Sequence, residues 1–193
     1  MEMISKKHIT KKIVCALGDA EEKILPLLKG RIFHVTSYKS YASIMKTGFI
    51  KHNKNNDFEL TFGQSENSYG RSKAYVCLFD LKTPTDEQFN EYKNNFDFLT
   101  LHAQVNKANV YFILSPKIYN NIITNEVAYE EINKSKIRKV IIPFLECFYP
   151  INIDINDIEQ IIIVKYLIPK SMPKSIQEIA LELLHKKYSK KLA

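Results

Sequence analysis

Apolar positions along this chain fall into short blocks with two spacings, strand-like runs and helix-like stripes. Ile32-Phe33-His34-Val35-Thr36-Ser37 reads as a short buried strand whose end turns polar. Beyond it Tyr41, Ile44 and Met45 recur at i, i+3 and i+4, which predicts a helix with Ser37 as N-cap and Gly48 as its left-handed stop. Ala74 to Leu81 is almost continuously apolar and reads as a central strand. Val110 to Ser115, stopped by Pro116, is a second buried strand, and Ile158 to Ile168 contains the last strong one. Lys139 to Leu145 also has strand character, with Pro143 consigning it to an edge or a bulge.

Helical spacing fills the intervals. Asp19 to Leu28 ends at Gly30, Thr85 with Gln88 three residues on forms a capping box, and short helices are expected over Lys117 to Ile123 and Glu126 to Asn133. Ser175-x-x-Glu178 opens a C-terminal amphipathic helix whose apolar face is Ile176, Ile179, Ala180, Leu183 and Leu184. Lys51 to Gly70 is polar and rich in Asn, Ser, Gly and Gln with only scattered apolar positions, a length that a compact domain keeps for a binding loop or lid. Asn94 to Asn109 shows no clear period. Strands and helices do not alternate strictly, so the expected architecture is α+β, with a mixed or mainly antiparallel central sheet flanked by helices. Residues 1–193 are expected to form a single domain: 1–30 a basic lead-in and short helix, 31–169 the α+β core, 170–193 a basic C-terminal helix.

At 193 residues and 45% hydrophobic, the chain can fill one sizeable core. No apolar run approaches the roughly 18 residues that span a bilayer, so no membrane association is expected. Met1 to Thr10 is charged and lacks an apolar core, so no secretory signal is expected either. Cys15, Cys77 and Cys147 have neither zinc nor disulfide-framework spacing, which favours a reducing, cytoplasmic setting. The five histidines are scattered, and no metal is expected. The net charge of +7 invites a nucleic-acid reading, but it is concentrated at the ends. Residues 1–31 carry seven Lys/Arg against four Asp/Glu and residues 170–193 six against two, leaving 32–169 balanced at fifteen of each. Terminal lysines usually solvate a surface, and no arginine-rich tract or ribonucleoprotein motif is present.

Phosphate loops of the GxxxxGK[ST] and GxGxxG kinds, the GxSxG elbow and HExxH are all absent. What remains is a three-part pattern. The first part is Phe33 to Ser37 with the helix that follows and Gly48. The second is Ser65 to Arg71 ahead of the strand Ala74 to Asp80. The third is Ile141 to Pro150 followed by Ile158 to Val164. Glu146, hemmed by Phe144, Cys147, Phe148 and Tyr149, is costly to bury unless something pairs with it, which marks it as a candidate functional acid.

This pattern resembles the ADP-ribosyltransferase-like superfamily, especially its His-Tyr-Glu branch and the DarT-like bacterial enzymes. Their first motif is a strand of the form apolar-His-x-Thr, then a helix ending x-Gly-apolar, and residues 32–50 match it. The resemblance implies NAD as substrate. His34 and Thr36 would hold it on the nicotinamide-side ribose, and Tyr75 or Tyr69 would stack on the ring. Glu146 would be the catalytic glutamate, with Glu126 in Asn125-Glu126-Val127-Ala128-Tyr129 its competitor. Arg71 in the polar loop is a candidate for gripping the pyrophosphate.

Three functions are therefore in view. One is ADP-ribosyl transfer to nucleic acid or protein by a bacterial or phage conflict protein of toxin or phage-defence type, with an antitoxin or regulatory partner. The second is a non-enzymatic module that binds nucleic acid or protein through its basic termini. The third is a transferase-like fold that binds NAD without turning it over.

Overall fold

The computed structural model describes residues 8–55, 57–58, 67–93, 108–135 and 139–167. Its elements begin with strand β1 (Ile9–Ala16), helix α1 (Ala20–Leu28), strand β2 (Ile32–Ser37), helix α2 (Tyr38–Thr47) and the short strand β3 (Phe49–Ile50). Then come α3 (Tyr69–Lys73), β4 (Val76–Asp80), α4 (Asp86–Lys93), β5 (Ala108–Leu114) and a 3-10 helix over Pro116–Asn121. Helix α5 (Asn125–Ser135) precedes β6 (Glu146–Tyr149), β7 (Ile153–Asp154) and β8 (Ile158–Leu167).

Six strands form one sheet in the order β1-β8-β5-β2-β4-β6, and β3 pairs with β7 in a separate two-stranded ribbon. Every neighbouring pair in the large sheet is antiparallel except β1 with β8. The fold is thus α+β around a mixed, mainly antiparallel central sheet flanked by helices, as the sequence pattern predicts. The isoleucine-rich run of β8 is explained by its position, since it is bonded on both sides and buried from Ile161 to Val164.

The two faces of the sheet have different covers. On one face Ile24 and Leu28 of α1 pack over Phe33, Val35, Tyr111, Ile113, Ile162 and Val164. On the other, Tyr41 and Ile44 of α2 and the β3–β7 residues Ile50 and Ile153 pack over Ile32, Val110, Phe112, Leu78 and Cys147. A third cluster joins Tyr69 of α3, Ala128 of α5, Ile141 and Phe148. Residues such as Phe33, Phe112 and Ile24, with no exposed surface, each contribute roughly 1.5–3 kcal/mol through burial.

Helix α2 forms as its caps dictate: Ser37 Oγ accepts the Ser40 amide at 3.1 Å, and Gly48 takes φ of 77°. Thr85 and Gln88 close the reciprocal capping box ahead of α4.

Three expectations are corrected. Ile9–Ala16 is a strand rather than a lead-in, running parallel to β8 from Ile9↔Gln160 to Ala16↔Leu167. As a sheet edge it leaves Ile9 and Val14 exposed and fully buries Cys15, so its sequence carries little two-face signal. Residues 139–145 form no strand. Pro143 has no amide to give, Phe144 takes φ of 59°, and the chain turns there so that the strand starts only at Glu146. Tyr69 and Gly70, placed in the polar loop by composition, open helix α3. Much of that loop, residues 94–107 and the C-terminal helix over 170–193 lie outside the described residues.

Candidate functional site

The large sheet opens in its middle. Strand β2 pairs with β5 from Phe33↔Ile113 to Ser37↔Asn109, and β4 pairs with β6 from Val76↔Tyr149 to Phe79↔Glu146. Between β2 and β4, however, the ladder holds only Ile32↔Asp80 and Phe33↔Phe79. Past those residues the sheet divides into a half made of β1, β8, β5 and β2 and a half made of β4 and β6. Backbone groups on strand edges need partners, so an opening inside a sheet is a place where side chains or ligands take over the bonding.

His34 does so on one side. Its Nδ1 lies 3.0 Å from the Cys77 carbonyl oxygen across the gap. A carbonyl only accepts, so Nδ1 carries the proton of the neutral ring and Nε2 keeps its lone pair. Burial pushes His34 below its ordinary protonation range, while the bond to Cys77 opposes that shift. Among the described residues Nε2 makes no hydrogen bond. The ring is 6.4 Å from Phe112, which Tyr41 of α2 in turn covers at 5.9 Å. Thr36, two residues on, is 4% exposed and faces the same way.

Glu146 stands on the other face. It pairs with Phe79, which shares a face with Phe33, whereas His34 is one residue out of phase. Its carboxyl accepts the Ile142 amide at 2.9 Å and a hydrogen bond from the Cys77 thiol. Burial pushes the Glu146 carboxyl up to about 7, and those two bonds hold it down. The same burial raises the Cys77 thiol well above its ordinary value, so that sulfur is a donor and not a thiolate.

Tyr69 is a core residue: 2% exposed, edge-on to Phe148 at 5.1 Å, with its hydroxyl donating to Glu131 at 2.8 Å. Lys73 pairs with the same Glu131 oxygen at 2.8 Å. Tyr75 is half-buried beside Tyr69, and Arg71 is half-buried in α3 with its amide held by Ser68. Glu126 is exposed in the first turn of α5.

The structure therefore gathers Tyr69, Tyr75 and Glu146 on the α3–α5 side and sets His34 and Thr36 on the α2 side, with the split between them. A hollow of about 280 Å³ lies elsewhere, between α1 and α4, lined by residues such as Leu25, Lys29, Pro84 and Phe89. Among the described residues no three His, Cys, Asp or Glu side chains converge as a metal site needs.

Sequence reasoning passed over three participants. Cys77 links both functional candidates, through its carbonyl to His34 and its thiol to Glu146. Gly70 lets α3 approach so closely that a Cβ there would lie 2.6 Å from Phe148 Cδ1 and 2.7 Å from Cys77 Sγ. Asn125 organises the turn before Glu146. Gly70 read as an ordinary loop glycine because helix α3 was not expected there, and nothing local marked the other two.

Comparison with protein-family models, curated proteins and solved structures finds no match.

Proposed function

We propose that this protein is an NAD-dependent ADP-ribosyltransferase acting on a macromolecule, nucleic acid or protein, with the split between β2 and β4 as its substrate cleft. The observation that supports this reading most is the early end of the β2–β4 ladder with His34 lodged in the opening. A neutral imidazole whose Nδ1 is already engaged offers Nε2 as an acceptor, and ribose hydroxyls are donors. Thr36 and the half-buried Tyr75 are the further candidates for contact with substrate.

In the reaction the bond between ribose C1′ and the nicotinamide nitrogen breaks, and its electron pair leaves with nicotinamide. The oxocarbenium-like ribose that remains is favoured by a nearby carboxylate. A nucleophile of the acceptor then forms the new bond to C1′ and gives up its proton. In this reading Glu146 supplies the carboxylate and reaches the ribose through the split, because ladder parity turns it away from the His34 face. A role in microbial or phage conflict, with an antitoxin or other regulatory partner, follows from the resemblance alone.

Calorimetric titration with NAD tests the cleft. The wild-type chain should bind and His34→Ala should bind at least about tenfold more weakly, the loss of one good hydrogen bond. Equal affinity would remove His34 from the site. Absence of NAD binding, together with salt-dependent nucleic-acid binding lost on deleting residues 170–193, would support the non-enzymatic module instead.

A further inference from the structure

We propose that Asn125 is the positioning residue of Glu146: by tying Ile142, Phe144 and Glu146 into one turn, its side-chain amide aims the Ile142 N–H at the Glu146 carboxyl. The inference rests on the reading above only in giving Glu146 a role in turnover; the geometry stands without it.

Both donors and one acceptor site of the Asn125 amide are used in this turn. Its Nδ2 donates to the Ile142 carbonyl at 2.9 Å and to the Glu146 carbonyl at 2.8 Å. Its Oδ1 accepts the Phe144 amide at 2.9 Å. Phe144 holds φ of 59°, a conformation that a bulky side chain keeps only where its surroundings enforce it. The turn closes on itself as well. The Glu146 amide donates to the Ile142 carbonyl at 3.1 Å, and the Glu146 carboxyl accepts the Ile142 amide at 2.9 Å. Both main-chain groups of Ile142 are thus engaged by Glu146.

Asn125 is delivered to this place by the chain before it. Ile123 and Phe148 exchange both main-chain hydrogen bonds, at 2.8 and 3.0 Å, as an antiparallel pair. Two residues further along that pairing, Asn125 comes opposite Glu146. Removing the amide releases a strained turn, and the N–H that steadies the carboxylate moves away.

The other groups facing Glu146 are the Cys77 thiol from β4 and Tyr129 from α5, with the Cys147 thiol next to it in sequence. None of them is altered by changing Asn125, so the carboxyl itself can report.

The experiment is a pH titration of the Glu146 side-chain carboxyl by carbon-13 NMR in the full chain, the signal assigned by its absence in Glu146→Gln. Asn125→Ala should raise the titration midpoint by about one pH unit, the effect of losing a hydrogen bond to a charged acceptor. Asn125→Asp retains the acceptor for Phe144 but loses both donations, and should raise the midpoint further because its own carboxylate adds repulsion, so it serves as the fold control and Asn125→Ala carries the test. An unchanged midpoint in a folded Asn125→Ala overturns the proposal. Failure of both variants to fold overturns it as well, because Asn125 would then serve the fold and not the carboxyl. Nicotinamide release is measured separately, so a chain inactive toward NAD with a shifted midpoint rejects the transferase reading and keeps this one.

Discussion

His34 and Cys77 meet across the gap where the central sheet comes apart, with the imidazole Nδ1 3.0 Å from the Cys77 carbonyl oxygen. That contact does the work of the ladder bonds that β2 and β4 stop making after Phe33 and Phe79. It also fixes which ring nitrogen is presented outward. Nitrogen-15 NMR of the imidazole should show Nδ1 protonated and Nε2 bare at neutral pH. A ring protonated on Nε2 and bare on Nδ1 would contradict the bond.

The same contact carries part of the stability. His34→Ala leaves the Cys77 carbonyl without its partner at the edge of the split, which costs about 1–3 kcal/mol if water does not replace it. Urea denaturation measures the difference. Because burial pushes the His34 pKa below its ordinary value, the ring is neutral at pH 7 and its engagement of substrate should hold steady upward from there.

Gly70 is where helix α3 touches β4 and β6 most closely. Gly70→Ala drives a methyl against the Phe148 ring and Cys77 Sγ, at 2.6 and 2.7 Å, and should destabilise the chain by about 1–3 kcal/mol or more. Gly18 has nothing within 4 Å of an added Cβ, so Gly18→Ala is the matched control and should change stability little. Equal midpoints of thermal unfolding for the two variants would refute the close approach.

Glu146 gives stability a pH dependence of unusual sign for a carboxyl. Its folded-state value is raised from 4.5 to about 7, so between those limits the folded chain binds more protons than the unfolded one. The resulting contribution is complete below about pH 4.5 and is lost as pH rises through 7. Glu146→Gln lacks this titration. The stability of wild type relative to Glu146→Gln should therefore fall by on the order of 3 kcal/mol from pH 4.5 to 8, read from urea unfolding at each pH. A constant difference would show that the carboxyl is not buried as described.

Tyr69 and Tyr75 are separable by substitution. Tyr69→Phe loses only the hydroxyl bond to Glu131 and should cost roughly 1 kcal/mol without affecting NAD affinity, since the ring is 2% exposed. Tyr75→Ala should weaken NAD binding. The reverse order of effects in calorimetry would return Tyr69 to the substrate.

The parts of the fold legible in the sequence are those decided by neighbours along the chain. Helix α2 was readable because Ser37 and Gly48 are caps acting within a turn, and β5 and β8 because strands buried on both faces need unbroken apolar runs. Strand β1 was not, because a parallel edge strand draws its bonds from β8, far along the chain, and buries little. Residues 139–145 misled for a related reason. Their apolar content serves the packing of Ile141 and Leu145, while the backbone is held in a turn by Asn125, which lies well upstream. For the candidate site, His34 and Glu146 stand out as polar residues among apolar ones. Their placement on opposite faces depends on register across three strands, which no local pattern encodes.

The central claim is tested most directly by incubating purified protein with NAD labelled on the adenylate, alone and with DNA, RNA or cell lysate, and following nicotinamide release and the label. The account expects nicotinamide release with label transferred to a macromolecule, increasing as pH rises through 7 and abolished in folded His34→Ala and Glu146→Gln. No release in any mixture, or full activity in Glu146→Gln, would contradict it.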